Sequence, residues 1–188
     1  MKLSSLPLAL AVAILASAAS AQLQDENLLV TMPEGFKTGF QQKNKDMLMS
    51  EMVPSAETVE NWTRMVTVQI FYNLKPPLDE YKDGVEKGWA RACRGSSAHA
   101  VAQGEENGYP FLLWLLACPL NRTTGKPEFT WFKAIQGNDS LYLVQVAFKS
   151  KPSDATITRW MEYLRKVQVC DTRLPDRPCA IGGGEQKR

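Results

Sequence analysis

The residues with the most recognisable chemistry are four cysteines, Cys93, Cys118, Cys170 and Cys179. Zinc or redox sites use closely spaced pairs such as C-x-x-C, or nearby histidines, and this sequence has neither. An even number of cysteines favours disulfides if the chain is exported. Three pairings are open. The preferred one joins Cys170, which is predicted to end a helix, to Cys179, since that bond would hold a polar, proline-containing tail. Cys93 then pairs with Cys118.

The chain has a single histidine, His99, in a stretch of small residues that is predicted to be a strand. One histidine cannot supply the usual set of zinc ligands, and no acid or nucleophile pattern surrounds it. No G-x-S-x-G elbow, phosphate-binding glycine loop or H-E-x-x-H motif occurs. We therefore expect no catalytic residue, no metal and no cofactor.

Three methionines form an M-x-M-x-x-M pattern at Met47, Met49 and Met52. Thioethers are soft ligands that suit Cu(I). However, residues 45–53 are predicted to form a strand, whose side chains alternate between two faces. Met52 would then point away from Met47 and Met49, and packing in the core is the preferred interpretation.

Binding that uses no reactive group must depend on exposed side chains, and tryptophan and arginine are the most frequent anchors. The candidates lie around a polar connector at residues 54–61, which is predicted to include one helical turn capped by Ser55. They are Asn61, Trp62 and Arg64, with Glu51 and Glu57 nearby. The alternative for Trp62 is packing in the core, where large aromatic side chains usually lie.

The N-terminus has the features of a cleavable signal peptide. Lys2 precedes an apolar run from Leu6 to Ala16, and Ala19, Ser20 and Ala21 provide a small-x-small cleavage site. The apolar run is shorter than the roughly 20 residues that span a membrane. We expect residues 1–21 to be removed, residues 22–180 to form one domain, and residues 181–188 to be a disordered tail. The mature protein would be periplasmic or secreted.

The charge balance excludes two classes of partner. The chain has 22 basic and 20 acidic residues, and the only charged residue of the predicted leader is Lys2. A nearly neutral mature chain has no electrostatic reason to bind nucleic acid or an anionic membrane. The partner expected is another envelope protein, with a small ligand left open.

The pattern of apolar residues predicts an α+β fold. Strands are predicted at residues 28–31, 45–53, 62–72, 97–103, 109–120, 129–135 and 141–148, whereas residues 36–45 are polar and indefinite. A helix is predicted to follow Pro77, and a second to begin at Ser153 or Asp154. Asn107-Gly108 and Gly137 to Asp139 are hairpin signals, which imply an antiparallel sheet. The apolar strand at 109–120 requires cover on both faces, so the sheet is predicted to be sandwiched between helices.

This order of elements, with the turn Met32-Pro33-Glu34-Gly35-Phe36, resembles the PsbP-like family, which includes DcrB-type bacterial envelope proteins. The resemblance extends over about residues 27–170. It implies an antiparallel sheet between helices, and a non-catalytic envelope domain that supports or binds other proteins. It carries no active-site residues onto this chain.

The favoured function is an exported binding or assembly-support module that acts through protein–protein contacts and is not an enzyme. One alternative is a carrier that holds a small apolar molecule between sheet and helix. The other is a hydrolase of unrecognised type, with paired carboxylates such as Glu51 with Glu57, or Asp79 with Glu80.

Overall fold

A computed structural model describes residues 23–179, so the predicted signal peptide at 1–21 and the predicted tail at 181–188 lie outside the described residues. The elements follow the order β1 (Glu26–Leu29), β2 (Phe36–Lys43), β3 (Met47–Pro54), β4 (Arg64–Tyr72), α1 (Leu78–Ala92), β5 (Ser97–Glu106), β6 (Tyr109–Asn121), β7 (Lys126–Gln136), β8 (Ser140–Phe148), α2 (Asp154–Lys166) and β9 (Gln168–Asp171). Of the residues that the structure describes, neither helix is long and apolar enough to cross a membrane.

Seven of the strands form one antiparallel sheet in the order β2-β3-β4-β8-β7-β6-β5. The hairpins at Asn107-Gly108 and at residues 137–139 lie where the turn signals predict them. β1 and β9 pair separately as a small antiparallel sheet. The predicted α+β class with an antiparallel sheet is confirmed.

Successive residues of the long strands contribute to two separate hydrophobic clusters, as the two-residue period of a strand requires. On β8, for example, Val144 and Val146 belong to one cluster, and Leu141 and Leu143 belong to the other. The cluster with Val144 includes the apolar residues of α2, among them Trp160 and Leu164. The cluster with Leu141 includes the apolar residues of α1: Leu78, Tyr81, Val85 and Trp89.

Both helices have the ends that their sequences predict. The hydroxyl of Ser153 accepts a hydrogen bond from the backbone N–H of Thr156 at 3.3 Å and caps α2. α1 begins after Pro77, and Gly95, with φ of +81°, lies just beyond its end. Glycine adopts this left-handed conformation with little strain, so the chain can turn from α1 into β5.

The two disulfides follow the preferred pairing. Cys93 bonds to Cys118 and joins the end of α1 to β6. Cys170 bonds to Cys179 and attaches the segment after β9.

Three local expectations were wrong. Residues 36–43, expected to be indefinite, form the edge strand β2, whose polar side chains are mostly exposed. Cys170, expected to end a helix, lies in β9, because α2 stops at Lys166 and Val167 turns the chain back towards β1. The connector at 54–61 forms turns and no helix.

A buried lysine stabilises the C-terminal end of α2. The side chain of Lys133 on β7 is 2% exposed. Its Nζ donates to the backbone carbonyls of Leu164 (3.0 Å) and Val167 (2.9 Å), and it pairs with the carboxylate of Glu106. Burial lowers the pKa of Lys133, and Glu106 opposes that shift. Three acceptors match the three N–H donors of an ammonium group, so the geometry fits the charged form.

Glu26 on β1 connects the small sheet to the large one. Its carboxylate accepts hydrogen bonds from the backbone N–H groups of Asn138 (2.6 Å) and Asp139 (3.0 Å), and from the hydroxyl of Tyr142 (2.9 Å). The β7–β8 hairpin is therefore held by a side chain more than a hundred residues earlier in the chain.

Arg173 completes this junction. It donates to both carboxylate oxygens of the buried Asp171, at 2.8 and 2.6 Å, and to Asp139 at 2.6 Å. The carboxylates of Glu26, Asp139 and Asp171 lie close enough together to suggest a metal site. However, Glu26 and Asp171 are already satisfied by protein donors, and Arg173 supplies the positive charge, so the cluster is a structural junction.

We predict that Asp171 makes stability depend on pH in the acid range. Hydrogen bonds from Arg173 lower the pKa of Asp171. Its stabilising effect is therefore complete above the unfolded-state pKa, at about pH 4, and is lost as pH falls through the lower folded-state pKa. The Asp171→Asn variant should lose stability at pH 7, and its free energy of unfolding should fall less steeply below about pH 4 than that of the wild type. Urea denaturation at each pH measures both, and parallel curves would contradict the assignment.

Candidate functional site

The most chemically distinctive concave surface is a pocket of about 490 Å³ between the N-terminal half of the domain and α2. Its walls come from the turn that leads into β2, from the first residue of β4 and from α2. We call it the arginine–aromatic pocket, and its lining residues are Pro33, Glu34, Gly35, Phe36, Arg64, Arg159, Trp160 and Tyr163.

The turn at residues 33–36 forms one wall of the pocket, and its backbone conformation depends on Gly35. Gly35 has φ of +75°, and the N–H of Phe36 closes the turn onto the carbonyl of Pro33 at 3.1 Å. The backbone N–H and the hydroxyl of Ser55 both donate to the carbonyl of Gly35, at 2.8 and 2.9 Å. These bonds tie the turn to the end of β3 and fix the position of Phe36.

Aromatic rings form the floor. Trp160 is 5% exposed, and its ring makes edge contacts with Phe36, Tyr163 and Phe148, with centroids 5.7, 5.3 and 6.0 Å apart. The hydroxyl of Tyr163 donates to the carbonyl of Thr31 at 2.8 Å, and burial raises the pKa of this tyrosine. Because these rings pack on one another, the floor of the pocket is apolar.

Two guanidinium groups provide the charge. Arg64 lies over the ring of Phe36, with 5.8 Å from Cζ to the ring centroid, and Arg159 enters the same pocket from α2. Within residues 23–179, neither arginine forms an ion pair. Glu34 also lines the pocket, so the lining carries a net positive charge.

The structure separates the predicted site residues between the two faces of the sheet. Arg64 pairs with Phe148, on the face that packs against α2. Glu51 pairs with Thr67, one residue out of phase with Met52 and Val66, and therefore points to the opposite face. Burial raises the pKa of Glu51 there. Arg64 thus lines the pocket, and Glu51 does not.

The remaining predicted residues lie in the loop before β4. The ring of Trp62 is half-buried beneath the Nζ of Lys149, 4.1 Å from its centroid. Glu57 accepts hydrogen bonds from the backbone N–H and the hydroxyl of Thr63, at 2.6 and 2.7 Å, so its carboxylate shapes this loop. Asn61 is exposed and closes a turn with Thr58.

The three methionines lie on two opposite faces of the sheet, as the strand pattern predicts. Met52 is 6% exposed in the cluster beside α2, whereas Met47 and Met49 pair with residues of the other face of β4. The amide of Gln69 donates to the sulfur of Met49 at 3.6 Å. The three sulfurs therefore do not converge.

A second groove lies near Lys133. It has a volume of about 370 Å³ and is lined by apolar residues that include Val101, Phe111 and Met161, together with Glu106 and Arg165. Its one buried charge, Lys133, is fully engaged by the end of α2 and by Glu106. This groove therefore presents no free buried polar group.

Known proteins resemble this chain in structure and not in sequence. No protein-family model and no curated protein sequence matches it. A solved structure of a mutant of the protein Mog1 is similar, with a TM-score of 0.50 and 15% identity, over 78% of this chain and 92% of that one. The Ran-binding protein Mog1p of Saccharomyces cerevisiae gives a TM-score of 0.47 and 12% identity, over 78% of this chain and 96% of that one. The first of these likenesses shows a related α+β fold.

Proposed function

We propose that this chain is a non-catalytic domain that binds another protein, and that the arginine–aromatic pocket is where it does so. The observation that carries the proposal is the pair of guanidinium groups, Arg64 and Arg159, that line one aromatic-floored pocket with no ion pair among the described residues. Arginine and aromatic side chains together are the usual composition of an interface hot spot.

The chemistry of the pocket favours an acidic segment that carries a bulky apolar side chain. A guanidinium group binds a carboxylate through two parallel hydrogen bonds, and the apolar floor strengthens that interaction by excluding water. The half-buried ring of Phe36, which packs on Trp160, offers an apolar surface for an aromatic or aliphatic side chain. The partner would therefore place a carboxylate between the arginines and an apolar group on the floor.

We also propose that the domain is exported to the periplasm or beyond, and that it resembles PsbP-like envelope proteins. In the proposed architecture the sheet lies between α1 and α2 as a three-layer sandwich. Two disulfides support the export proposal, because such bonds persist in oxidising compartments. Residues 1–21 support it through their signal-peptide pattern. The separate clusters beside α1 and α2 support the layering.

A binding experiment with defined peptides tests the proposal. Three labelled peptides would have the same length and the same aromatic residues. The first carries Asp and Glu, the second carries Asn and Gln at those positions, and the third carries Lys there. We expect fluorescence anisotropy to rank the acidic peptide first. Arg64→Glu and Arg159→Glu should each weaken its binding by at least about tenfold, because each replaces an attraction with a repulsion.

Arg122→Glu is the matched control, since it makes the same charge change on an exposed turn outside the pocket. It should leave acidic-peptide binding within about twofold of the wild type. Circular dichroism and thermal unfolding would show that all three variants are folded. Equal loss of binding in Arg122→Glu, or no preference for the acidic peptide, would contradict a site at the pocket.

A further inference from the structure

β5 is a long edge strand with an open side. It pairs only with β6 within the described residues, and the first nine of its ten residues are exposed. Five of the ten are Ser, Ala or Gly, and none is Lys or Arg. His99 on this strand is exposed and contacts the hydroxyl of Ser97 at 3.1 Å, so it is an ordinary strand residue here. An exposed strand edge of this length is a ready template for pairing with another strand.

Neither helix covers this edge. Two grooves, of about 540 and 340 Å³, separate β5 from the start of α1 and are lined by Leu78, Asp79 and Gln103 among others. The groove of about 370 Å³ separates β5 from α2 on the opposite face. The backbone of β5 is therefore accessible along both faces and along its outer side.

The other free edge of the sheet differs in its charges. β2 carries Lys37 and Lys43, and lysines on an edge strand oppose pairing with a second sheet. β5 has instead a basic residue before its start, Arg94, and two acidic residues at its end, Glu105 and Glu106. Arg94 and Glu105 are exposed and form no ion pair within residues 23–179.

We propose that β5 of one molecule pairs antiparallel with β5 of a second copy, which makes a two-fold dimer with one continuous sheet. Antiparallel pairing brings the basic start of each strand to the acidic end of the other, so the contact between Arg94 and the partner's acidic end occurs twice in the dimer. The strand is thus electrostatically complementary to itself in this one orientation, as an isologous interface requires. Pairing on either side of the bulge between Ala100 and Ala102 would add on the order of one backbone hydrogen bond per paired residue.

The oligomeric state of the full mature chain tests this inference. Light scattering and sedimentation should give twice the monomer mass. Arg94→Glu and Glu105→Arg should each shift the dimer to monomer, because each places like charges together. The double variant restores opposite charges and should recover dimerisation. Lys43→Glu, a charge reversal on the other edge, should remain dimeric. A wild type that stays monomeric up to about 1 mM, or a double variant no better than the singles, would overturn the proposal.

Cysteine cross-linking gives an independent measurement. All four native cysteines are in disulfides, so an introduced cysteine is the sole free thiol in the described chain. Val101→Cys, at the 45% exposed centre of β5, should form an intermolecular disulfide on mild oxidation. Phe40→Cys, at a 37% exposed position on β2, should not. Cross-linking at Phe40→Cys in place of Val101→Cys would assign the contact to the other edge and overturn the inference. Both experiments are independent of the arginine–aromatic pocket.

Discussion

Replacement of Lys133 by methionine is expected to lower the free energy of unfolding by about 3 kcal/mol, because removal of one partner from a buried, hydrogen-bonded ion pair is strongly destabilising. Methionine fills a similar volume, so the loss would come from polar interactions and not from a cavity. The carbonyls of Leu164 and Val167 would lose their donor, and Glu106 would lose its counter-charge. Urea denaturation of the purified variant measures the change.

Two matched variants separate these contributions. Lys82→Met removes the lysine of a partly exposed ion pair with Glu86, at 2.7 Å, and should cost under about 1 kcal/mol. Glu106→Gln leaves Lys133 its two carbonyl acceptors, and should cost less than Lys133→Met because Glu106 is 25% exposed. If Lys82→Met proved as damaging as Lys133→Met, the buried lysine would have no special role at the end of α2.

Removal of the disulfide between Cys93 and Cys118 is expected to have a similarly large effect. The two cysteines are 25 residues apart and both are buried. The chain-entropy relation gives a loss of about 3.5 kcal/mol for a loop of this size. The bond also joins the end of α1 to β6, so its loss should loosen α1 in hydrogen exchange. The double variant Cys93→Ala/Cys118→Ala, in denaturant unfolding, tests this expectation.

The second disulfide is the natural comparison. Cys170 and Cys179 are nine residues apart, and the same relation gives a loss of about 2.6 kcal/mol. Exchange in Cys170→Ala/Cys179→Ala should increase mainly after β9, where Arg177 lies over the ring of Tyr109 at 4.3 Å. A larger effect on α1 than on this segment would show that the two bonds do not stabilise the regions they join.

Strong local signals account for the parts of the fold that the sequence predicts. Asn107-Gly108 and Gly137 specify tight turns, and Ser153 specifies a helix start, so the β5–β6 hairpin, the β7–β8 hairpin and α2 are as expected. β2 and β9 have no such signal. β2 is polar because it is an exposed edge, and β9 is a strand only because β1, more than a hundred residues earlier, supplies its partner. Contacts between distant segments leave no local periodicity.

At the candidate site, too, local sequence patterns identify some residues, but they do not reveal which residues the fold brings together. Arg64 was found because it lies beside a tryptophan and a polar connector, although Trp62 itself packs beneath Lys149. Glu51 is grouped with it in the sequence because both lie near the polar connector, yet strand alternation places Glu51 on the other face. The sequence does not point to Arg159: the helical pattern of α2 identifies Trp160 as buried, but nothing local indicates that the neighbouring arginine lines the same pocket as Arg64 of β4.

Photo-cross-linking in living cells tests the central claim most directly. A benzophenone amino acid would replace Met32, which is 48% exposed and next to the pocket wall, or Leu74, which is 42% exposed beyond the other end of β4. We predict a protein adduct from position 32 that maps to an acidic segment and disappears when Arg64→Glu and Arg159→Glu are added. An adduct that survives both charge reversals, or one obtained equally from position 74, would contradict binding at the arginine–aromatic pocket.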